Sequence, residues 1–224
     1  MDDEVARDAG QKPRRDAEQG KAALGEKAAL REKAALRERL RAARAALTAD
    51  ERSLAGRELR NAVLSMPEAE MAGTVAAYFS VGAEPDTRGL VYALWKRGSY
   101  VLLPLFRPDG DLDWASYEGP DSVRPRPDGR YGLAEPAEPP RGVDAIARAD
   151  LVIVPALAVD KRGMRLGRGA GCYDRALARV GAAVPTVALV YDAELLDAVP
   201  AEPHDRRVRL VARPSSGVTR LPLS

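Results

Sequence analysis

The residues best suited to chemistry form one short segment, residues 163–174, which reads Gly-Met-Arg-Leu-Gly-Arg-Gly-Ala-Gly-Cys-Tyr-Asp. Its four glycines allow successive backbone N–H groups to point at one anion, and Arg165 and Arg168 add charged donors. The segment lies between an apolar stretch typical of a strand and the start of a predicted helix, whose N-terminus also favours anions. This pattern predicts a phosphate-binding loop. The alternative is a solvated turn with incidental arginines, since isolated glycine motifs are weakly specific.

The carboxylate of Asp174 closes this segment, at the beginning of the predicted helix. Alone, it is typical of the first turn of a helix. Beside bound phosphates, it would suit Mg²⁺, which prefers one or two carboxylates together with phosphate oxygens. The segment is not a P-loop, because no Gly-Lys-Ser/Thr closes it, and its glycines two residues apart do not match the dinucleotide-binding fingerprint.

The elements that must position this loop alternate along the chain. Apolar runs predict strands and helical spacing predicts helices, and Thr48 with Glu51 forms a capping-box pattern for a helix that ends before Pro67. Buried strands alternating with helices predict a three-layer α/β/α fold with a mostly parallel central sheet. The predicted strands are 74–79, 100–106, 112–117, 151–157, 186–191 and 208–212, the further helices are 87–97 and 173–180, and 119–142 is a proline-rich surface loop.

The N-terminal region differs in composition. Residues 1–26 are polar, carry charges of both signs and contain scattered glycines, so we expect a disordered charged extension, with residues 27–224 forming a single α/β domain. The pattern Lys-Ala-Ala-Leu begins at Lys21, Lys27 and Lys33, but its period of six fits neither a solenoid nor a heptad coil, and a solvated alanine-rich helix explains most of it.

A basic helix follows from Lys33, in which Leu36 and Leu40 recur at helical spacing beside a face of arginines. Such helices often bind RNA, a calmodulin-like partner or a membrane surface. The interleaved glutamates weaken that interpretation, and the net charge of +2 argues against a general nucleic-acid binder.

Composition excludes several other classes of protein. Cys172 is the only cysteine, which rules out an intramolecular disulfide and argues against a cysteine zinc site. No apolar run approaches the roughly 18–20 residues that span a membrane, and no secretory signal precedes the domain, so we expect a cytoplasmic protein. The lone His204 is more typical of an exposed loop residue than of a general base, although that role stays open.

One family shares these motifs. The run Val154-Pro-Ala-Leu-Ala-Val-Asp160, followed by the glycine segment up to Asp174, resembles the signature of the 5-formyltetrahydrofolate cyclo-ligase family (5,10-methenyltetrahydrofolate synthetases). The resemblance extends from about residue 30 to about residue 213 and is most specific in the loop. Its other blocks are Lys33-Ala-Ala-Leu-Arg37, Tyr78-Phe-Ser80, Glu84-Pro-Asp-Thr87, Tyr131-Gly-Leu-Ala-Glu-Pro136 and Pro203-His-Asp205.

The resemblance implies a fold and a reaction. The fold would be Rossmann-like, of the NagB/RpiA/CoA transferase-like type, and residues 27–224 would form a single catalytic domain. The reaction would be an ATP-dependent, Mg²⁺-assisted cyclisation of 5-formyltetrahydrofolate to 5,10-methenyltetrahydrofolate through phosphorylation of the formyl oxygen, with ADP and phosphate released. The partner would be this small molecule, with neither nucleic acid nor membrane, and the chain would act as a monomer or weak dimer.

The resemblance also assigns roles to residues of this chain. Lys27-Ala-Ala-Leu-Arg31 is a competing register for the basic block, but the distance to Glu84 favours Lys33. The implied Mg²⁺ ligands are Asp174 and Asp205, and the implied substrate-binding residues are Arg37, Phe79, Glu84, Arg168 and Tyr173. The implied ATP-binding residues are Lys33, Ala34, Ala35, Leu36, Arg37, Arg165, Leu166, Gly167, Arg168, Gly169, Ala170, Gly171, Cys172 and Tyr173.

Two positions depart from the family pattern. Cys172 stands where the first of two tyrosines is usual, and Ala170 stands where glycine or lysine is common. Neither change removes the backbone N–H groups of the loop. The alternative function is a non-catalytic nucleotide- or RNA-binding protein of the same fold, but the retained Lys33, Glu84 and Asp205 favour the enzyme.

Overall fold

The structure is a computed structural model that describes the backbone of residues 12–126, 132 and 134–222, and side chains from residue 29 onward. Its α-helices are α1 (Lys12–Ala46), α2 (Ala49–Leu64), α3 (Pro67–Met71), α4 (Arg88–Lys96) and α5 (Cys172–Leu177). Its strands are β1 (Thr74–Ala76), β2 (Tyr100–Phe106), β3 (Leu112–Ser116), β4 (Val123–Pro125), β5 (Ala134–Pro136), β6 (Leu151–Pro155), β7 (Ala158–Asp160), β8 (Arg165–Leu166), β9 (Thr186–Leu189), β10 (Leu195–Leu196), β11 (Leu210–Arg213) and β12 (Gly217–Arg220). Single 3₁₀ turns span Pro120–Ser122, Val143–Arg148 and Asp192–Glu194.

Seven strands form the central sheet, in the order β12-β11-β9-β6-β1-β2-β3. Only the outer pairs β2–β3 and β11–β12 are antiparallel, so the predicted mostly parallel sheet is confirmed. Neighbouring residues of one strand point to opposite faces. Val75 therefore packs beside α2 and α4, whereas Ala76 packs on the α5 side. Both faces of the sheet are covered, which gives the three layers that the sequence predicts.

The register aligns the carboxyl ends of the central strands. Ala76 lies opposite Val152, and Pro155 lies opposite Leu189, so β1, β6 and β9 finish on the same edge of the sheet. In an open α/β sheet, ligands bind outside this edge. The loops that follow β1 and β6 carry the residues singled out by the sequence, and the sheet brings these loops together.

Local sequence signals explain where the elements begin and end. The capping box before α2 is confirmed: the Glu51 amide donates to Thr48 Oγ1 at 3.2 Å, and the Thr48 amide donates to Glu51 Oε2 at 2.7 Å. Gly110, with a φ of 82°, lies in the turn between β2 and β3. The region expected to be one long loop contains the short antiparallel pair β4–β5, in which Arg124 lies opposite Glu135.

The N-terminal region differs from the expectation. Residues 1–11 lie outside the described part of the chain, but residues 12–26, which were expected to belong to a disordered extension, form the first half of α1. Alanine, leucine, lysine, glutamate and arginine dominate this stretch, and all have high helix propensity. Each glycine costs a helix only about 1 kcal/mol, which this composition offsets. No helix in the described residues has the length and apolar character to cross a membrane.

Candidate active site

A single cleft of about 1250 Å³ opens at the carboxyl edge of the sheet. Its walls come from the ends of β6 and β2, the segment after β1, the glycine loop, one face of α1 and the turn at 202–206. The residues that line it include Lys33, Arg37, Arg41, Arg44, Tyr78, Phe79, Glu84, Arg165, Leu166, Gly167, Arg168, Gly169, Ala170, Gly171, Cys172, Tyr173, Asp174, Glu202, His204, Asp205 and Arg206. Residues distant in sequence but implicated in one reaction therefore share one cavity.

The glycine loop depends on conformations that only glycine adopts without strain. Gly163 has a φ of 87°, and a Cβ at this position would overlap the carbonyl oxygen of Val208. Gly171 is left-handed, with a φ of 66°, and precedes the first residue of α5. Any larger residue at Gly163 would displace the segment that leads into β11, because its Cβ would overlap the backbone of Val208. The loop is thus held against the sheet while its residues 165–174 line the cleft.

Helix α1 supplies cations from one side. Lys33 is 3% exposed, and its Nζ lies 2.9 Å from Glu202 and 2.8 Å from Asp205. Burial alone would lower the pKa of Lys33, but hydrogen bonds and charge from Asp205 and Glu202 outweigh it and raise that pKa. Arg37 Nε donates to the carbonyl oxygen of Gly167 at 2.9 Å. Helix α1 is therefore joined to the turn at 202–206 and to the glycine loop.

The structure does not bring the whole basic block into the cleft. Ala34 and Ala35 are exposed, and Leu36 packs beside Leu40 on an apolar patch. A helix turns about 100° per residue, so only every third or fourth side chain of the block faces the ligand space. Arg41, one turn beyond Arg37, also lines the cleft and donates weakly to the Arg168 carbonyl at 3.4 Å.

Two carboxylates expected to bind Mg²⁺ lie on neighbouring walls. Asp174 Oδ1 accepts from Arg165 Nη2 at 2.9 Å and from the Arg206 amide at 3.1 Å. Asp205, the residue before that amide, accepts from Lys33 and from the Glu202 amide through Oδ2. Within the described part of the chain, Asp174 Oδ2 and Asp205 Oδ1 accept no hydrogen bond. One oxygen on each carboxylate is thus available, and the pair fits a hard cation such as Mg²⁺.

The turn at 202–206 contains a residue that sequence reasoning missed. Glu202 shares Lys33 with Asp205, and His204 Nε2 lies 3.6 Å from Glu202 and 3.7 Å from Asp205. One potential ligand atom from each of these three residues lies within 4.8 Å of the others. A sequence signal for Glu202 did exist, because it directly precedes the family block Pro203-His-Asp205. His204 itself is 67% exposed at the rim of the cleft.

The expected folate residues lie together at the end of β1. Glu84 Oε1 is 2.8 Å from Arg168 Nη2, and its Oε2 accepts from the Val81 amide at 2.9 Å. Phe79 lines the same wall, with the Arg88 guanidinium 5.6 Å from its ring centroid. This wall therefore offers a carboxylate acceptor beside an aromatic face, the combination that suits a flat heterocycle with amino groups.

Arg165 is the most buried cation of the glycine loop, with 3% of its side chain exposed. It bonds Asp174, reaches toward the Pro155 carbonyl at 3.4 Å, and lies 5.9 Å from the ring centroid of Tyr173. Its Nε is buried without a partner among the described residues. A buried donor without an acceptor costs free energy. An anionic ligand in the cleft is the kind of acceptor that this N–H lacks.

Two further side chains of the loop have altered acidity. Burial, followed by the charge of Glu84, raises the pKa of Tyr173 far above its ordinary value, so its phenol stays protonated and can donate. Burial also raises the pKa of Cys172, whose Sγ lies 3.8 Å from the Ala170 carbonyl. A thiol held in its protonated form is a poor nucleophile, so Cys172 acts as packing in the wall.

Acid is expected to weaken the fold through Asp205. Burial alone would raise its pKa, but Lys33 and the Glu202 amide outweigh burial and hold it below the ordinary 3.8. Its contribution to the free energy of unfolding is therefore present above pH 3.8 and is lost as the pH falls through the folded-state pKa. Lys33 behaves oppositely: its contribution is present below pH 10.5 and is lost as the pH rises through its raised pKa.

Urea unfolding at pH 7 and at pH 3 checks this expectation. Asp205→Asn should lose less stability between the two pH values than the unsubstituted chain, because it lacks the group that is protonated. Asp121→Asn, the same change at an exposed aspartate, should keep the full loss. An acid loss in Asp205→Asn as large as in the unsubstituted chain would show that Asp205 does not contribute.

Comparison with known proteins places this cleft in a family. A sequence model of the 5-formyltetrahydrofolate cyclo-ligase family matches residues 29–214. The 5-formyltetrahydrofolate cyclo-ligase of Mycolicibacterium smegmatis is 43% identical over 153 residues, which cover 66% of this chain and 77% of the relative. The enzyme of the same name from Escherichia coli K12 is 32% identical over 179 residues, covering 79% of this chain and 97% of the relative.

A solved structure agrees with these matches. The 5,10-methenyltetrahydrofolate synthetase of Aquifex aeolicus superposes with a TM-score of 0.71 at 26% identity, covering 86% of this chain and 94% of that one. The family resemblance carried by the glycine loop is thus confirmed, and so is the fold. The matched range includes the residues that line the cleft, from Lys33 on α1 to Asp205. The chain belongs to the 5-formyltetrahydrofolate cyclo-ligase family.

Proposed function

We propose that this chain uses ATP to cyclise 5-formyltetrahydrofolate to 5,10-methenyltetrahydrofolate, with release of ADP and phosphate. The observation that carries the proposal is the arrangement of the cleft. A cation-rich glycine loop and α1 form one part, and Glu84 with Phe79 forms the adjoining part. A phosphate donor and a folate bound in these two parts would meet at the glycine loop.

The reaction needs two bond exchanges. The formyl oxygen attacks the γ-phosphorus of ATP, which forms an O–P bond and releases ADP. The neighbouring folate N10 then attacks the activated formyl carbon, loses its proton, and expels the original formyl oxygen as phosphate. Both steps depend on positioning and on neutralising negative charge more than on a protein nucleophile, which agrees with the buried thiol of Cys172.

The cations around the loop suit the first step. Arg37, Arg165 and Arg168 present guanidinium groups to the cleft, and guanidinium forks match phosphate geometry. The buried Nε of Arg165, which has no hydrogen-bond partner among the described residues, also needs an acceptor. Lys33 has three N–H donors and uses two on Glu202 and Asp205, so one remains for a phosphate oxygen.

The two carboxylates suit Mg²⁺ bound with the nucleotide. Asp174 and Asp205 would hold the ion through the oxygens that accept no hydrogen bond from described residues. When bound, Mg²⁺ offsets the negative charge of the phosphates. The fixed partners of the other oxygens, Arg165, Arg206 and Lys33, hold the two carboxylates in place for this role.

The folate part orients the substrate. Glu84 would accept hydrogen bonds from the amino edge of the pterin, and Phe79 would pack against the ring. Arg168 bonds Glu84 and belongs to the glycine loop, so it connects the two parts of the cleft. The protonated phenol of Tyr173 adds a neutral donor near the formyl group.

A direct assay tests the proposal. Purified protein, Mg-ATP and 5-formyltetrahydrofolate are mixed, and formation of the methenyl product is followed by its absorbance. We expect an absorbance rise that requires both ATP and protein and that matches ADP formation one to one. No ATP-dependent rise at high protein concentration would overturn the proposal.

The alternative of a non-catalytic RNA-binding protein is less favoured by the structure. Lys33, Arg37 and Arg44 are occupied by Glu202, Asp205, Gly167 and Glu194 of the same chain. These cations therefore face the cleft and the interior instead of a solvent-exposed nucleic-acid surface. Tight, salt-sensitive binding of single-stranded RNA without turnover would support the alternative. We also propose a cytoplasmic monomer or weak dimer without nucleic-acid or membrane partners.

Deletion of residues 1–26 is expected to leave kcat/KM within about twofold of the full chain, because Lys33 is the first described residue that lines the cleft and truncation is best tolerated at chain termini. Steady-state kinetics of the truncated and full chains measure this effect. A tenfold loss in the truncated chain, with its folded structure retained by circular dichroism, would show that the deleted segment takes part in the site.

A further inference from the structure

Arg44 is a buried cation that the reaction described above does not use. It lies in the last turn of α1 and is 4% exposed. Its Nε is 2.6 Å from Glu194 Oε1, and its Nη2 is 2.8 Å from Glu194 Oε2 and 2.6 Å from the Ala156 carbonyl oxygen. A planar guanidinium thus bonds a carboxylate at two points and a backbone carbonyl at a third. This geometry fixes both distance and orientation.

The partners of Arg44 belong to two other parts of the scaffold. Ala156 directly follows β6, and Glu194 lies in the 3₁₀ turn after β9. Glu194 Oε2 also accepts from the Tyr191 amide at 2.8 Å, which fixes the carboxylate itself. Arg44 therefore joins the end of α1 to the carboxyl edge of the sheet at two separate strands.

These contacts continue to the expected folate wall, which is formed by Phe79 and Glu84. The Arg44 guanidinium lies 5.4 Å from the ring centroid of Tyr191. The Tyr191 hydroxyl is 3.4 Å from the carbonyl oxygen of Ala83, the residue before Glu84. The path from α1 through Arg44, Glu194 and Tyr191 thus ends beside the carboxylate expected to bind the pterin.

Helix α1 has few apolar contacts among its described side chains, so its position depends on directional polar bonds. Leu40 is its buried hydrophobic residue, and Leu36 is partly buried beside it. Lys33, Arg37 and Arg44 follow one another along the cleft-facing side of the helix. If Arg44 lost its bonds to Glu194 and Ala156, helix α1 would be free to tilt or shift. The positions of Lys33 and Arg37 in the cleft therefore depend on Arg44.

We infer that Arg44 and Glu194 form a positioning pair that sets the distance between the phosphate-binding side of α1 and the folate wall at Glu84. The inference rests on the proposed function, because it assigns these two walls to the two substrates. Stability alone is a weak explanation for the pair, since buried ion pairs are often replaced by apolar residues of similar volume without loss of stability. Positioning is a separate property, and it is lost when the directional bonds are lost.

The test separates stability from positioning. In the double variant Arg44→Met with Glu194→Leu, both charges are removed together, so neither remains buried without a partner. We expect a melting temperature near that of the unsubstituted chain. We also expect kcat/KM to fall about 100-fold, with a higher KM for both substrates and a lower kcat, because a shift of about 1 Å can cost this much. Arg44→Lys, which keeps the charge but not the fork, should recover only part of the loss.

A matched control is the pair Arg179–Asp111, which is also doubly hydrogen-bonded and joins the segment after α5 to the β2–β3 turn outside the cleft lining. Arg179→Met should lower the melting temperature at most and leave kcat and both KM values unchanged. Unchanged kinetic constants in the folded Arg44→Met, Glu194→Leu variant would overturn the inference while the proposed function stands. Absence of turnover in the unsubstituted protein would overturn the proposed function and the inference with it.

Discussion

Replacement of Lys33 by methionine is expected to lower kcat/KM by about 10³-fold, the upper range for removal of one preorganised donor to a charged transition state. Lys33 donates hydrogen bonds to both Glu202 and Asp205 and also lines the cleft. Its loss would leave two carboxylates facing incoming phosphates without the cation between them. Breaking a buried ion pair by removing one partner also costs about 3–5 kcal/mol of stability.

Steady-state kinetics of Lys33→Met, at a temperature where circular dichroism shows the variant folded, measure the effect. Lys161→Met provides the control, because Lys161 pairs with Asp197 on the surface, where both side chains are more than half exposed. Such a pair contributes about 0–1 kcal/mol, and we expect wild-type kinetics from this variant. A folded Lys33→Met variant with unchanged kcat/KM would contradict the assignment of Lys33 to the phosphate site.

Replacement of Asp174 is the second change with a large expected effect. Asp174→Ala should lose at least about 100-fold in kcat/KM, because it removes an expected Mg²⁺ ligand and the partner of the buried Arg165. Asp174→Asn separates these roles, since the amide oxygen can still accept from Arg165 and from the Arg206 amide. We expect the asparagine variant to stay folded but to require more Mg²⁺ for half-maximal rate.

Titration of the rate with Mg²⁺ at fixed ATP measures this requirement. Asp144→Ala, at a side chain that is 84% exposed outside the cleft, should respond to Mg²⁺ as the unsubstituted chain does. Turnover by Asp174→Asn at the normal rate, with the same Mg²⁺ dependence, would refute the metal role of Asp174.

Much of the scaffold was predictable because its signals are local. The span of β2 was predicted to the residue, since its apolar run is followed directly by the polar segment Arg107-Pro-Asp-Gly110, and the capping box fixed the start of α2. The loop at 163–174 was predictable for the same reason, because Gly163, Gly169 and Gly171 occupy conformations that other residues avoid. The beginning of α1, before the repeat at Lys21, was not predicted, because Pro13 and the scattered glycines favour an extension while the residues around them have high helix propensity.

The site was less predictable than the scaffold, because its contacts join distant parts of the chain. No local pattern pairs Arg44 with Glu194, which lies 150 residues away, or Lys33 with Glu202. The roles of Lys33, Glu84 and Asp205 came from the family resemblance, and the structure shows that these residues line one cleft. Ala34 and Ala35 were included only because the motif is contiguous in sequence, whereas a helix directs their side chains to solvent.

Oxygen isotope transfer tests the central claim most directly. The proposed reaction expels the formyl oxygen of the substrate as part of the released phosphate. With 5-formyltetrahydrofolate labelled by ¹⁸O in the formyl group, and unlabelled ATP and water, mass spectrometry should find one ¹⁸O in each phosphate formed. Unlabelled phosphate, with the ¹⁸O recovered in water, would contradict activation of the formyl oxygen by phosphorylation.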